Sequence, residues 1–224
     1  MDIRDLKNKV IISVQAMPSE PLYEEKCLTA MMQSVVNGGA EGLRVAGVRD
    51  VKNAKKLFNI PVIGITKPDK LPDNWKEIVY ITPTMKDVDA IIDAGADIVA
   101  IDGTLRPHEC RVEDMVKRIK DAGKLAMADI STFEEGKYCE KIGFDIVSTT
   151  LSGYTQESLS DSDKPDFELL EKLVNGTKLA VILEGKIWEP SEVDKAFKIG
   201  ATAVVIGSAI TRPQLITKRF VKRG

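Results

Sequence analysis

Six residues with reactive side chains stand at the ends of short apolar runs. Gln15 ends VIISVQ (10–15), Arg44 stands in GLRV (42–45) and Lys67 ends PVIGITK (61–67). Asp102 ends DIVAID (97–102), Asp129 ends LAMAD (125–129) and Glu184 stands in LAVILEG (179–185). One charge where a strand meets water is ordinary. Six at equivalent places predict a shared face. Side chains alternate along a strand, so Ile63, Ile65 and Lys67 share one side, as do Ala180, Ile182 and Glu184. Lys67 leads the set. Pro68 follows it and disfavours helical backbone, which keeps Lys67 extended. An ammonium at the rim of an apolar interior loses basicity, and a lysine tuned toward ~7–8 can take and return protons at neutral pH. His108 is the only histidine in 224 residues. Proton transfer therefore falls to lysines and carboxylates, and a two-histidine zinc site is excluded.

The other members have a structural alternative beside each chemical one. Glu184 could hold a substrate hydroxyl, pair with Lys67 or act as a second acid–base group; a structural ion pair is the bland reading. Asp129 suits a hydroxyl clamp, or it could cap a helix starting near Thr132. Arg44 offers a planar donor fork for a phosphate or carbonyl oxygen, or a salt bridge with a carboxylate. Asp102 fits a clamp on a neighbouring side chain better than a substrate ligand. Cys110 beside His108, in RPHEC (106–110), is read as capping and packing. Trp75 and Trp188 are read as packing residues, with Trp188 a candidate for the edge of a pocket. The basic tail KRFVKRG (218–224) is read as a solvated end.

These residues need a scaffold that brings strand ends together. Two further runs, DIVSTT (145–150) and AVVIGSA (203–209), complete eight strand candidates. Near-continuous β-branched runs of this length read as parallel strands buried on both faces. Segments of helical period separate them, at 24–40, 48–58, 85–96, 111–123, 132–143, 166–176 and 190–201. Four cassettes, NGGAEGLRV, DAGADIVAI, KIGFDIVST and KIGATAVVI, place Gly between helix and strand. There it supplies the left-handed cap that ends the helix. Eight such units predict a single-domain (β/α)₈ barrel over residues 1–224. An open doubly wound sheet is the rival, but no GxGxxG follows the first run. IVYITPT (78–84) reads as a strand-like insertion after the third strand. SLSDSDKPD (158–166) reads as a loop on the catalytic face that could cover it.

A barrel also gives the last two loops a task. Gly185 and Gly207 stand where backbone N–H groups after the seventh and eighth strands commonly cradle a phosphate, and Arg212 adds a bidentate charge. The balance of 32 Lys+Arg against 34 Asp+Glu gives a net charge of −2, which argues against a nucleic-acid binder. No apolar run approaches the ~18 residues of a membrane helix. Cys27, Cys110 and Cys139 are odd in number and widely spaced. With the charged N-terminus, they point to free thiols in a soluble, cytoplasmic protein.

The motifs VQA (14–16), GLRV, GITK (64–67), YITPT (80–84), MADIST (127–132), TTLSGYT (149–155), LEGKIWEP (183–190) and IGSAITRPQLITKRF (206–220) occur in this order. Together they resemble the N-acetylmannosamine-6-phosphate 2-epimerase family of bacterial sialic acid catabolism. The resemblance runs from about Val10 to Val221. It implies a (β/α)₈ barrel that interconverts two amino-sugar phosphates at C2, without an organic cofactor or metal, and a homodimer. It makes Lys67 the catalytic lysine and Glu184 the catalytic carboxylate. It puts Gln15, Arg44, Asp129 and Tyr154 at the sugar, and Gly185, Lys186, Gly207, Ser208 and Arg212 at the phosphate. Lys186 stands where many members carry Arg, which keeps the charge and loses the fork. One-base and two-base routes both remain open. The alternative activity is another phosphate-binding barrel, an isomerase or a lyase using Lys67 as a Schiff base. A third class is a sugar-phosphate sensor without turnover.

Overall fold

The computed structural model describes residues 1–222, so the last two residues of the basic tail lie outside it. Eight parallel strands close in chain order into a barrel. They are β1 (Lys9–Val14), β2 (Gly42–Ala46), β3 (Val62–Ile65), β4 (Ile98–Asp102), β5 (Leu125–Asp129), β6 (Ile146–Ser148), β7 (Ala180–Glu184) and β8 (Ala203–Ile206). Around them lie α1 (Glu25–Asn37), α2 (Val48–Leu57), α3 (Met85–Asp93), α4 (Val112–Asp121), α5 (Phe133–Ile142), α6 (Phe167–Gly176) and α7 (Pro190–Ile199). A short α8 (Ser208–Thr211) and a terminal α9 (Pro213–Val221) follow β8. The (β/α)₈ architecture read from the alternating runs is therefore the observed one.

Strand alternation sorts the apolar residues into two cores. Ile11, Ile63, Ile65, Ile98, Met127, Ile146, Ile182 and Val205 fill the barrel interior, with Leu6 from the turn before β1. Their chain neighbours Ile12, Val62, Val99, Ala126, Val147, Leu183 and Val204 pack outward under the helices, with Leu43 of β2. Each fully buried Leu or Ile contributes roughly 1.5–3 kcal/mol of transfer free energy. Gly64 shows how close the outer layer lies: a Cβ there would come within 2.6 Å of Ile91 on α3. The glycines of the four cassettes, Gly39, Gly95, Gly143 and Gly200, all have φ between 95° and 117°. That left-handed backbone strains any other residue.

The barrel wall is open on one side of Lys67. β3 and β4 pair only through Ile63↔Ile98 and Gly64↔Val99. Above that point residues 81–82 fill the gap. The Thr82 N–H donates to the Thr66 carbonyl (3.1 Å) and the Asp102 N–H to the Ile81 carbonyl (3.1 Å). The Thr82 hydroxyl donates to the Ala100 carbonyl and accepts from the Thr66 N–H. So the insertion at 78–84 forms no strand. It is stitched between two strand ends by one backbone–backbone bond to each and by the Thr82 hydroxyl, with Thr82 turned to φ 45°.

Candidate active site

The C-terminal strand ends surround a cavity of about 340 Å³. Lys67, beyond β3, and Glu184, at the end of β7, both line it. These strands stand four places apart in a ring of eight, so the two side chains enter from opposite walls. No ion pair joins them among the described residues. Lys67 Nζ donates instead to Gln15 Oε1 at 2.9 Å. Glu184 Oε2 accepts from Arg44 Nη1 at 2.7 Å.

Arg44 and Asp129 lie directly beneath this layer, with side-chain exposures of 1% and 0%. Arg44 grips Asp129 with both ends of its fork, Nη1 to Oδ1 at 2.9 Å and Nη2 to Oδ2 at 2.5 Å. Of the two readings of Arg44, the salt bridge is the arrangement present. Asp129 does not cap the following helix: Thr132 caps α5, its hydroxyl accepting from the Glu135 N–H. Asp102 holds Arg106 at 2.6 Å and lies outside the cavity lining.

Burial dominates the electrostatics. It lowers the Lys67 ammonium from 10.5 to about 8, helped by the nearby Arg44 charge and opposed by Glu184 and Asp129. It raises the Glu184 carboxyl from 4.5 to about 7 against the pull of Arg44, while Asp129 pushes the same way as burial. For Arg44, burial works against the charge, but Asp129 and Glu184 outweigh it and raise the guanidinium above its ordinary value. An acid and a base, each shifted toward neutrality on opposite walls of one cavity, form an arrangement suited to moving a proton.

The far end of the cavity is built from the last two loops. Gly185, Lys186, Gly207, Ser208 and Arg212 all line it. Gly185 has φ 106° and Lys186 follows at φ 59°, so the chain turns sharply and lays the Lys186 ammonium 5.3 Å from the centre of the Tyr154 ring. Gly207 precedes the one-turn α8 and supplies no side-chain cap. Arg212 is not wholly free, since its Nη2 donates to Glu20 from the loop after β1.

Two lining residues, Trp75 and Tyr80, carry no signal of a cavity role along the chain, whereas Tyr154 is one that the resemblance implies. Trp75, Tyr80 and Tyr154 form an aromatic wall, with centroids 6.1 Å apart for Trp75–Tyr80 and 6.4 Å for Trp75–Tyr154. Trp75 thus faces the cavity as well as packing, whereas Trp188 lies under Arg219, 4.7 Å from it. Thr150 also lines the site. Its motif was visible, but its partners come from strands far away in sequence. The 158–166 loop borders a separate groove of about 870 Å³ that reaches Glu184 and Gly185 from the outside. His108 Nε2 contacts the Thr104 carbonyl at 2.9 Å, away from the site.

The family model described as "Putative N-acetylmannosamine-6-phosphate epimerase", NanE, matches residues 28–223. The chain belongs to the NanE family. A relative of that description, as a 2-epimerase, from Caldanaerobacter subterraneus subsp. tengcongensis is 47% identical over 98% of this chain and 92% of its own. Another from Clostridium perfringens is 47% identical over 96% of both chains. The solved structure of the N-acetylmannosamine-6-phosphate 2-epimerase from C. perfringens superposes with a TM-score of 0.92 at 44% identity, covering 99% of this chain and 96% of that one. A thiamine phosphate pyrophosphorylase from Pyrococcus furiosus, 15% identical with a TM-score of 0.61 over 98% of this chain and 97% of that one, shares the fold alone. NanE membership agrees with the resemblance drawn from the motifs.

Proposed function

We propose that this NanE protein inverts C2 of N-acetylmannosamine 6-phosphate to give N-acetylglucosamine 6-phosphate, as part of amino-sugar and sialic acid breakdown. The observation that carries the reading is the opposition of Lys67 and Glu184 across one cavity, each shifted toward neutral pH. In the open-chain sugar, neutral Lys67 Nζ takes the proton from C2. The electron pair moves into the C1–C2 bond and the carbonyl π pair goes to the C1 oxygen, giving an enolate. Protonated Glu184 then returns a proton to C2 from the opposite face, and the carbonyl reforms. Lys67 is left charged and Glu184 ionised, and exchange with water resets both. Gln15 holds Lys67, and Tyr154 forms a wall against the sugar. Arg44 and Asp129, buried below, act on the sugar through Glu184.

Gly185, Lys186, Gly207, Ser208 and Arg212 hold the phosphate in this reading. That anchors the distant end of the substrate and lends binding energy to orientation at C2. Residues 1–224 act as one domain. Two copies associate, a reading supported by Phe220 and Val221 of α9, which are 78% and 72% exposed. A cytoplasmic location is supported by three unpaired cysteines. No helix among the described residues is long and apolar enough to cross a membrane.

Proton NMR with N-acetylmannosamine 6-phosphate in deuterated water tests the whole scheme, with deuterium expected at C2 of both epimers. Lys67→Ala should fold and lose C2 exchange by at least about 10³-fold. Exchange near the native rate would remove Lys67 from the mechanism. A lysine held near pH 8 also suits a Schiff base. Borohydride inactivation that depends on substrate would favour the lyase alternative.

A further inference from the structure

Two consecutive threonines after β6 hold Glu184, one by its backbone and one by its side chain. The Thr149 hydroxyl donates to the Glu184 carbonyl at 2.9 Å and accepts from the Glu184 N–H at 3.1 Å, which fixes the end of β7. The Thr150 hydroxyl lies among the charged groups instead. It is 2.7 Å from Asp129 Oδ1, 3.3 Å from Glu184 Oε2 and 2.8 Å from Ser148 Oγ, with Arg44 Nη1 at 3.4 Å. A hydroxyl has one proton and two lone pairs. It can donate a hydrogen bond to Asp129 or to Glu184, and it can accept one from a protonated Glu184.

We infer that Thr150 is a positioning residue for the acid–base work of Glu184, a hydroxyl that turns to match its protonation state. When Glu184 is ionised, the Thr150 O–H can swing to Oε2 and support the negative charge beside Arg44. When Glu184 is protonated, its O–H donates to Thr150 Oγ1, which donates onward to Asp129 Oδ1. The proton of Glu184 is then held on the side of the cluster, and both states remain hydrogen-bonded in a buried setting where an unpaired group is costly. The charged and titratable groups facing Glu184 are Arg44 from β2, Lys67 beyond β3, Asp129 from β5 and Tyr154 from the loop after β6. Thr150 is the uncharged member that touches both carboxylates.

The inference rests on the proposed role of Glu184, so its test has one arm without turnover. Thr150→Val keeps the shape and removes the hydroxyl, and Thr150→Ser restores it. The first readout is a carbon-13 titration of the Glu184 carboxyl in protein free of substrate. The second is kcat and KM for epimerisation across pH. Because a hydrogen bond to the ionised carboxylate is stronger than one accepted from the protonated acid, Thr150→Val should move the Glu184 midpoint upward and lower kcat by about ten- to a hundredfold, with KM within about twofold. Thr150→Ser should return both most of the way. An unmoved midpoint in Thr150→Val, or a Ser variant as impaired as the Val one, would overturn the inference and make the side chain a packing element. If Thr150→Val fails to fold, Thr150→Ser alone decides, by holding or losing the native midpoint. Lack of epimerisation in the native protein would sink the role of Glu184 while leaving the titration arm readable.

Discussion

Asp102 and Asp129 are register partners on β4 and β5, both buried, each gripped by an arginine at 2.6 and 2.5 Å. Their surroundings differ. Arg106 comes from four residues further along the same loop, and Thr104 gives Asp102 both its N–H and its hydroxyl, at 3.0 and 2.6 Å. Arg106 is also tied to the Lys76 carbonyl at 3.2 Å. That cluster satisfies itself within its own side of the barrel, and it closes the wall where the insertion enters. Arg44 reaches Asp129 from β2, across the interior, and extends to Glu184 on β7. The same chemical pair is therefore a local fastener in one place and a cross-barrel brace under the proposed acid in the other. The range of the contact, rather than the residue types, separates structure from site.

Replacing each arginine tests that distinction with the largest expected effect. Arg44→Met and Arg106→Met both strand a buried carboxylate, which costs about 3–5 kcal/mol. Thermal unfolding should show comparable losses for the two. Activity, assayed where both remain folded, should separate them. Arg44→Met should lose about 10²–10⁴-fold in kcat/KM because Glu184 loses its anchor. Arg106→Met should stay within about threefold. Equal losses of activity would erase the contrast between brace and fastener.

The carboxylates sharpen the comparison at intermediate size. With Lys67 as base and Glu184 as acid, kcat/KM should trace a bell with limbs at about 7 and about 8. Asp129 raises both groups by its negative charge. Asp129→Asn should therefore move both limbs downward, whereas Asp102→Asn should leave them in place. A pH profile of Asp102→Asn that shifts as far as that of Asp129→Asn would mean that the two clusters are electrically one.

Much of this frame is legible from sequence, for a physical reason. Alternation and glycine caps are local, so runs such as PVIGITK and the cassette KIGATAVVI encode strand parity and helix ends directly. Parity then places Lys67 and Glu184 at the mouth. What a strand-end residue touches across the barrel is not local. Arg44 meets Asp129 and Glu184 at separations of 85 and 140 residues, and nothing in GLRV distinguishes a fork open to substrate from one already engaged. Thr150 is hidden for the same reason. The segment 78–84 misleads in another way. Its apolar residues Tyr80 and Ile81 are buried like those of a strand, but its backbone bonds only singly to two strand ends. Trp75 looks like a core residue because one side of it is.

The smallest expected effect concerns pH and the fastener alone. Burial pushes the Asp102 carboxyl above its ordinary value, with Arg106 and Thr104 opposing it. Removing Arg106 takes away the strongest of those opposing influences, so the carboxyl rises further. Between the unfolded carboxyl value of about 3.9 and the raised folded one, the folded protein then binds more protons than the unfolded chain. Stability must fall as pH rises through that window. Arg106→Met should thus be closer to the native protein in chemical denaturation near pH 5 than near pH 8, the added gap being about 1–3 kcal/mol. Arg44→Met should share this slope, since the Glu184 carboxyl, already raised by burial, loses the cation that opposes the rise. A flat difference between pH 5 and pH 8 for Arg106→Met would mean that Asp102 finds water or Thr104 sufficient, and that its arginine contributes packing rather than charge.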